Sequence, residues 1–86
     1  MPERRSSIRT PIKTDVEVKT EMLGLVKAQT RELSDNGAFI ESQKLQMLEY
    51  GTIVTIQATG FPEPMPVLKA EVVRITKEGI GLRFIL

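Results

Sequence analysis

Three observations predict an all-β fold. Apolar and polar residues alternate from Ile12 to Lys19, Val, Ile and Thr concentrate in three later stretches, and turn formers separate these stretches at spacings of roughly 8 to 12 residues. Six short strands spaced in this way form an antiparallel barrel or sandwich rather than βαβ units.

The first strand puts Ile12, Thr14, Val16 and Val18 on one side and Lys13, Asp15, Glu17 and Lys19 on the other, the period of a half-buried strand. After a turn near Thr20 to Met22, an extended stretch runs from Leu23 to Leu33. Ser34-Asp35-Asn36-Gly37 then supplies a run of turn formers for a hairpin-like reversal into a short strand, Ala38 to Glu41. Leu45 to Glu49 is the one plausible helical turn. Strands follow at Gly51–Thr59, Val67–Thr76 and Ile80–Leu86, joined by Gly60-Phe61-Pro62-Glu63-Pro64-Met65-Pro66 and Lys77-Glu78-Gly79. The predicted core is Val16, Val18, Ile40, Ile53, Ile56, Val72, Ile80, Leu82 and Phe84. No internal repeat is visible. Residues 1–10 contain too few apolar groups to pack and read as a mobile basic arm, with the body of the domain at 11–86.

Composition limits the chemistry. The chain has 86 residues, 41% of them apolar, enough for one small domain burying about 60% of its unfolded surface. With neither Cys nor His, it cannot form Cys/His zinc sites, thiol nucleophiles, Ser-His-Asp triads or disulfides. No apolar run approaches the roughly 18 to 20 residues of a membrane span, and the Met-Pro-Glu-Arg-Arg start lacks a signal-peptide core, so a cytoplasmic protein is expected. Net charge is only +1, but residues 1–31 carry Arg4, Arg5, Arg9, Lys13, Lys19, Lys27 and Arg31 against four carboxylates. A short cationic arm on a neutral body suits a small anion better than a long polyanion.

Two segments can carry recognition. Arg5 and Arg9, four apart, can converge on one anion with two planar donor forks, although a solvated basic tail has the same composition. Ser34-Asp35-Asn36-Gly37 offers a hydroxyl, short polar side chains and a glycine able to take positive φ, although an Asx-type turn uses these residues for its own hydrogen bonds.

Together, and in this order, the two segments resemble the PilZ family, which binds cyclic di-GMP. Arg5-Ser6-Ser7-Ile8-Arg9 meets its RxxxR motif, and Glu32-Leu33-Ser34-Asp35-Asn36-Gly37 aligns with [DN]xSxxG. Similarity continues through Tyr50-Gly51-Thr52-Ile53-Val54, Val72-Val73-Arg74-Ile75 and Gly79-Ile80-Gly81-Leu82-Arg83-Phe84. Glu32 departs from the family's Asp or Asn, and its extra methylene shifts the acceptor and adds rotamer entropy that binding must remove.

The resemblance implies a small six-stranded antiparallel β-barrel of split-barrel type and a sensor or adaptor rather than an enzyme, with cyclic di-GMP as ligand and no cofactor or metal. It assigns Arg5 and Arg9 to guanine and phosphate, Arg4 as an auxiliary cation, Glu32 as acceptor from guanine N1–H and N2–H₂, Ser34 as donor or acceptor, Asn36 as an extra contact and Gly37 as a gap beside the barrel. Ligand-driven ordering of the arm would signal to a protein partner in motility, secretion or exopolysaccharide machinery, without membrane insertion. Two rivals stand beside this reading: a PilZ-like protein-interaction module that has lost the nucleotide, and a nucleic-acid-binding barrel. The second is disfavoured by one Tyr, three Phe, no Trp and near-neutral charge.

Overall fold

The computed structural model describes residues 13–85; the proposed arm, with Arg4, Arg5 and Arg9, lies outside the described residues. Six strands run in chain order as β1 Asp15–Thr20, β2 Gly24–Leu33, β3 Gly37–Glu41, β4 Ile53–Ala58, β5 Leu68–Ile75 and β6 Gly79–Phe84. All pairings are antiparallel, and they close a barrel in the order β1-β2-β3-β6-β5-β4.

Alternation builds the interior. Val16 and Val18 of β1, Ala38 and Ile40 of β3, Val54 and Ile56 of β4, Ala70 and Val72 of β5, and Ile80 and Leu82 of β6 all point inward and are buried. The one helical turn among the described residues is a 3₁₀ turn, Leu45–Met47, shorter than the predicted Leu45–Glu49. It plugs one end of the barrel with Leu45 and Leu48, both buried, and the Ser42 hydroxyl accepts the Leu45 N–H at 3.2 Å. Phe84 packs against the core only from the rim.

Ile53 is a correction: it is 51% exposed, not core. Val54 and Ile56 fix the inward parity of β4, so Ile53 pairs outward beside Glu71. Thr30 is the reverse case, a polar residue that is 1% exposed. Its hydroxyl accepts the Thr14 N–H at 3.0 Å and its own N–H donates to the Thr14 carbonyl at 2.9 Å, tying the segment before β1 to β2.

The sequence shows no repeat, but the strand pairing does. Hairpin β2–β3 and hairpin β5–β6 follow the same scheme, shifted by 42 positions from Thr30 to Val72. Each carries one bulge, at Thr30/Glu32 and at Val72/Arg74. Each turns on a hydroxyl residue three before a glycine, Ser34 to Gly37 and Thr76 to Gly79, closed in both cases by an N–H···O bond of 2.9 Å. β3 and β6 pair with each other about the central couple Phe39 and Gly81, so an approximate two-fold axis runs between them. Gly37 sits against the Leu82 carbonyl and Gly79 against the Ile40 carbonyl in the same way. Only the turn formula Ser/Thr-x-x-Gly survives this relation in sequence, too little to be recognised beforehand.

Candidate ligand-binding cleft

The outward face of β2, β3, β6 and β5 carries the site. One row of paired residues crosses it: Glu32, Phe39, Gly81, Arg74. Each bulge places two residues between inward-facing neighbours, Arg31 and Glu32 in β2 and Val73 and Arg74 in β5, and so turns Glu32 and Arg74 out to the two ends of the row. A cleft of about 260 Å³ opens here, lined by Glu32, Ser34, Asn36 and Gly37 on one side and Val73, Arg74, Gly81 and Arg83 on the other.

All four described residues expected to touch ligand therefore meet in one cleft. Ser34 is also occupied locally. Its hydroxyl accepts the Asn36 N–H at 3.2 Å and the Gly37 N–H at 3.3 Å, and donates to the Gly37 carbonyl at 3.3 Å. A ligand acceptor must compete with that carbonyl for the hydroxyl proton. The Asn36 carbonyl accepts the Phe84 N–H at 2.7 Å, anchoring the turn to the end of β6.

Gly37 has another reason to be glycine than the one expected. Its φ is not positive; Gly24, Gly51 and Gly60 are the described glycines in that region. A Cβ on Gly37 would stand 2.0 Å from the Leu82 carbonyl oxygen, so the missing side chain lets β3 and β6 close on each other and does not leave a gap for ligand.

The two-fold relation produces a second cleft at the mirror position, lined by Arg31, Phe39, Thr76, Lys77 and Glu78 and again touched by Glu32 and Arg74. Here the wall carries a cation–aromatic stack and ion pairs. Arg31 lies 4.7 Å over the Phe39 ring, pairs with Glu41 at 3.0 Å and also pairs with Glu78. In the first cleft Gly81 stands where the second has Phe39, and Val73 where it has Arg31. The asymmetry gives the second cleft, of about 370 Å³, a paired arginine and an aromatic ring where the first has Val73 and Gly81.

Arg74 and Arg83 were missed as lining residues. Arg83 pairs with Glu71. The available signal was the spacing of Val72 and Ile75, three apart where alternation requires two, which marks a bulge that turns Arg74 outward. Among the described residues no group of three or more His, Cys, Asp or Glu is placed to hold a metal ion, and no helix is long and apolar enough to cross a membrane.

The family model described as PilZ domain matches residues 3–86, nearly the whole chain and both motif segments. The chain belongs to the PilZ domain family. Among solved structures, this PilZ chain is similar to the PilZ domain of CeSA from a cellulose-synthesising bacterium, at 25% identity and a TM-score of 0.78, over 93% of this chain and 82% of that one. It also has the fold of the Bacillus subtilis inhibitor of motility MotI/DgrA, at 16% identity and a TM-score of 0.66, covering 99% of this chain and 44% of that one. A comparison with curated protein sequences gives no match.

Proposed function

We propose that this PilZ chain is a cyclic di-GMP receptor that acts by binding, without catalysis, and passes the signal to a protein partner in the cytoplasm. The observation that carries the reading is the convergence of Glu32, Ser34, Asn36 and Gly37 on one cleft, in a chain whose sequence also holds the Arg5-x-x-x-Arg9 pair. Guanine offers O6 and N7 to an arginine fork and its N1–H and N2–H₂ to a carboxylate, and the two phosphodiesters supply the charge for which Arg4, Arg5 and Arg9 are suited. Arg4 adds a third guanidinium, enough to offset part of the roughly −4 charge of two stacked ligands, so two cyclic di-GMP per chain are expected, falling to one in Arg4→Leu. The similar PilZ domain of CeSA comes from a cellulose-synthesising bacterium, which supports exopolysaccharide machinery as one class of partner, with motility or secretion machinery as the others.

Calorimetric titration tests the reading. The parent chain binds cyclic di-GMP, and Arg5→Ala or Arg9→Ala weakens binding about tenfold to hundredfold, the scale of one charge-assisted hydrogen bond of ~1.5–3 kcal/mol. No heat at millimolar ligand, or unchanged heats in both variants, overturns it. The second reading, a partner-binding module without nucleotide, rests on Glu32 in the place of Asp or Asn and on the local engagement of the Ser34 hydroxyl. Absence of parent binding favours it.

A further inference from the structure

The two bulges are alike in the ladder and unlike in what holds them. In β5 the extra position is taken by Val73, which has no charge to pair. In β2 it is taken by Arg31, whose side chain is held from three directions. Its guanidinium lies 4.7 Å over the Phe39 ring, its Nε donates to Glu41 Oε2 at 3.0 Å, and its Nη2 donates to Glu78 Oε1. One side chain therefore joins the β2 bulge to β3 and to the turn between β5 and β6, 10 and 47 positions away in the chain. Each ion pair alone is too exposed to stabilise the barrel much, with side-chain exposures of 35% for Arg31, 39% for Glu41 and 66% for Glu78. Acting together with the ring, the two carboxylates restrict where the guanidinium can lie.

That restriction bears on the next residue. Thr30 pairs with Ile40 and Glu32 with Phe39, so Arg31 is the residue left out of the ladder. Were the bulge to slide by one position, Arg31 would take the pairing with Phe39 and Glu32 would become the extra residue, with its carboxylate aimed elsewhere. The ties to Phe39, Glu41 and Glu78 oppose that slide, because all three hold Arg31 from outside β2. We propose that Arg31 is a positioning residue: through Glu41 and Glu78 it fixes the phase of the β2 bulge, and thereby aims the Glu32 carboxylate so that it accepts from the guanine 2-amino group. The inference rests on the receptor reading above and adds to it a selectivity device, since neither Arg31 nor Glu78 lines the cleft assigned to the ligand.

The test is calorimetric titration of the full chain with cyclic di-GMP and with its inosine analogue, which lacks the 2-amino group, on the parent, Arg31→Gln and Glu78→Ala, with thermal melts to verify folding. The parent should prefer cyclic di-GMP by about tenfold, the scale of one hydrogen bond to a charged group. In both variants cyclic di-GMP should bind about fivefold to tenfold more weakly, and the preference over the inosine analogue should shrink to within about threefold. Glu78→Ala separates the clamp from simple electrostatics: removing a negative charge favours an anionic ligand, so weaker binding requires the loss of a position held through Arg31. A folded Glu78→Ala that binds cyclic di-GMP as tightly as the parent or more tightly overturns the positioning role and leaves the receptor reading intact. Equal weakening of both ligands, with the preference unchanged, overturns it as well, because a purely structural role affects the two alike. A parent without preference removes the contact that Arg31 is said to aim, and the inference falls while the receptor reading stands. A parent that gives no heat with either ligand overturns both.

Discussion

Replacing Gly37 by alanine should destabilise the barrel strongly. The new Cβ would lie 2.0 Å from the Leu82 carbonyl oxygen, where real Cβ contacts do not fall below 3.0 Å, so β3 and β6 must separate by a full ångström. The neighbouring Phe84 N–H to Asn36 carbonyl bond, now 2.7 Å, would stretch beyond useful hydrogen-bonding distance. Weakening about two ladder bonds and leaving their groups poorly paired costs ~2–4 kcal/mol, less ~0.4–1 kcal/mol for the reduced freedom of the unfolded chain. A net ~2–3 kcal/mol is a large share of the ~4–13 kcal/mol expected for a domain of this size. At ~4–8 °C per kcal/mol, the melting temperature should fall by about 10–20 °C. Gly24→Ala is the control. Gly24 has φ +70° with nothing within 4 Å of an added Cβ, so only the left-handed backbone penalises alanine, by ~1–2 kcal/mol. Calorimetric or circular-dichroism melts of both variants decide the matter. If Gly37→Ala melts within about 3 °C of the parent, or above Gly24→Ala, the close approach of β3 and β6 is not what requires glycine there.

Thr30→Val keeps the shape but strips the acceptor from the Thr14 N–H, and urea unfolding should show a loss of ~1–3 kcal/mol; an unchanged midpoint would mean that bond is not needed. Leu45→Ala empties a fully buried position in the barrel plug and should cost ~2–5 kcal/mol in the same assay, with a cost below ~1 kcal/mol showing that the plug is dispensable. Ile53→Thr, at an outward position, should change stability by less than ~0.5 kcal/mol, and a core-sized loss would restore Ile53 to the interior.

Strand identity was legible wherever one period-2 face is buried, as in Val16-Glu17-Val18 and Ile80-Gly81-Leu82. Parity went wrong at Ile53 because a Val and Ile-rich strand reads as apolar on both faces, and only the pairing with Glu71 decides which residues turn in. The motif segment 32–37 could be assigned to one turn from its residues alone. The role of Gly37 could not: its constraint comes from Leu82, 45 positions away in the chain, and a steric demand across strands leaves the same letter in the sequence as a turn demand. Arg74 was hidden for a related reason. A bulge changes the phase of a strand, and reading every second residue from Ala70 carries that phase one position too far.

Barrel closure restricts how a partner protein could engage this domain. Each of the six described strands already has a neighbour on both sides over at least part of its length, so no described strand offers a full free edge to which a partner's extended segment could be added. Recognition must instead be read from side chains and loops, where backbone hydrogen bonding contributes no generic affinity and the choice of partner is fixed residue by residue. One barrel architecture can therefore serve unrelated machines, because changing an outward residue such as Val73 or Tyr50 retargets the surface without altering the strand pairing beneath it.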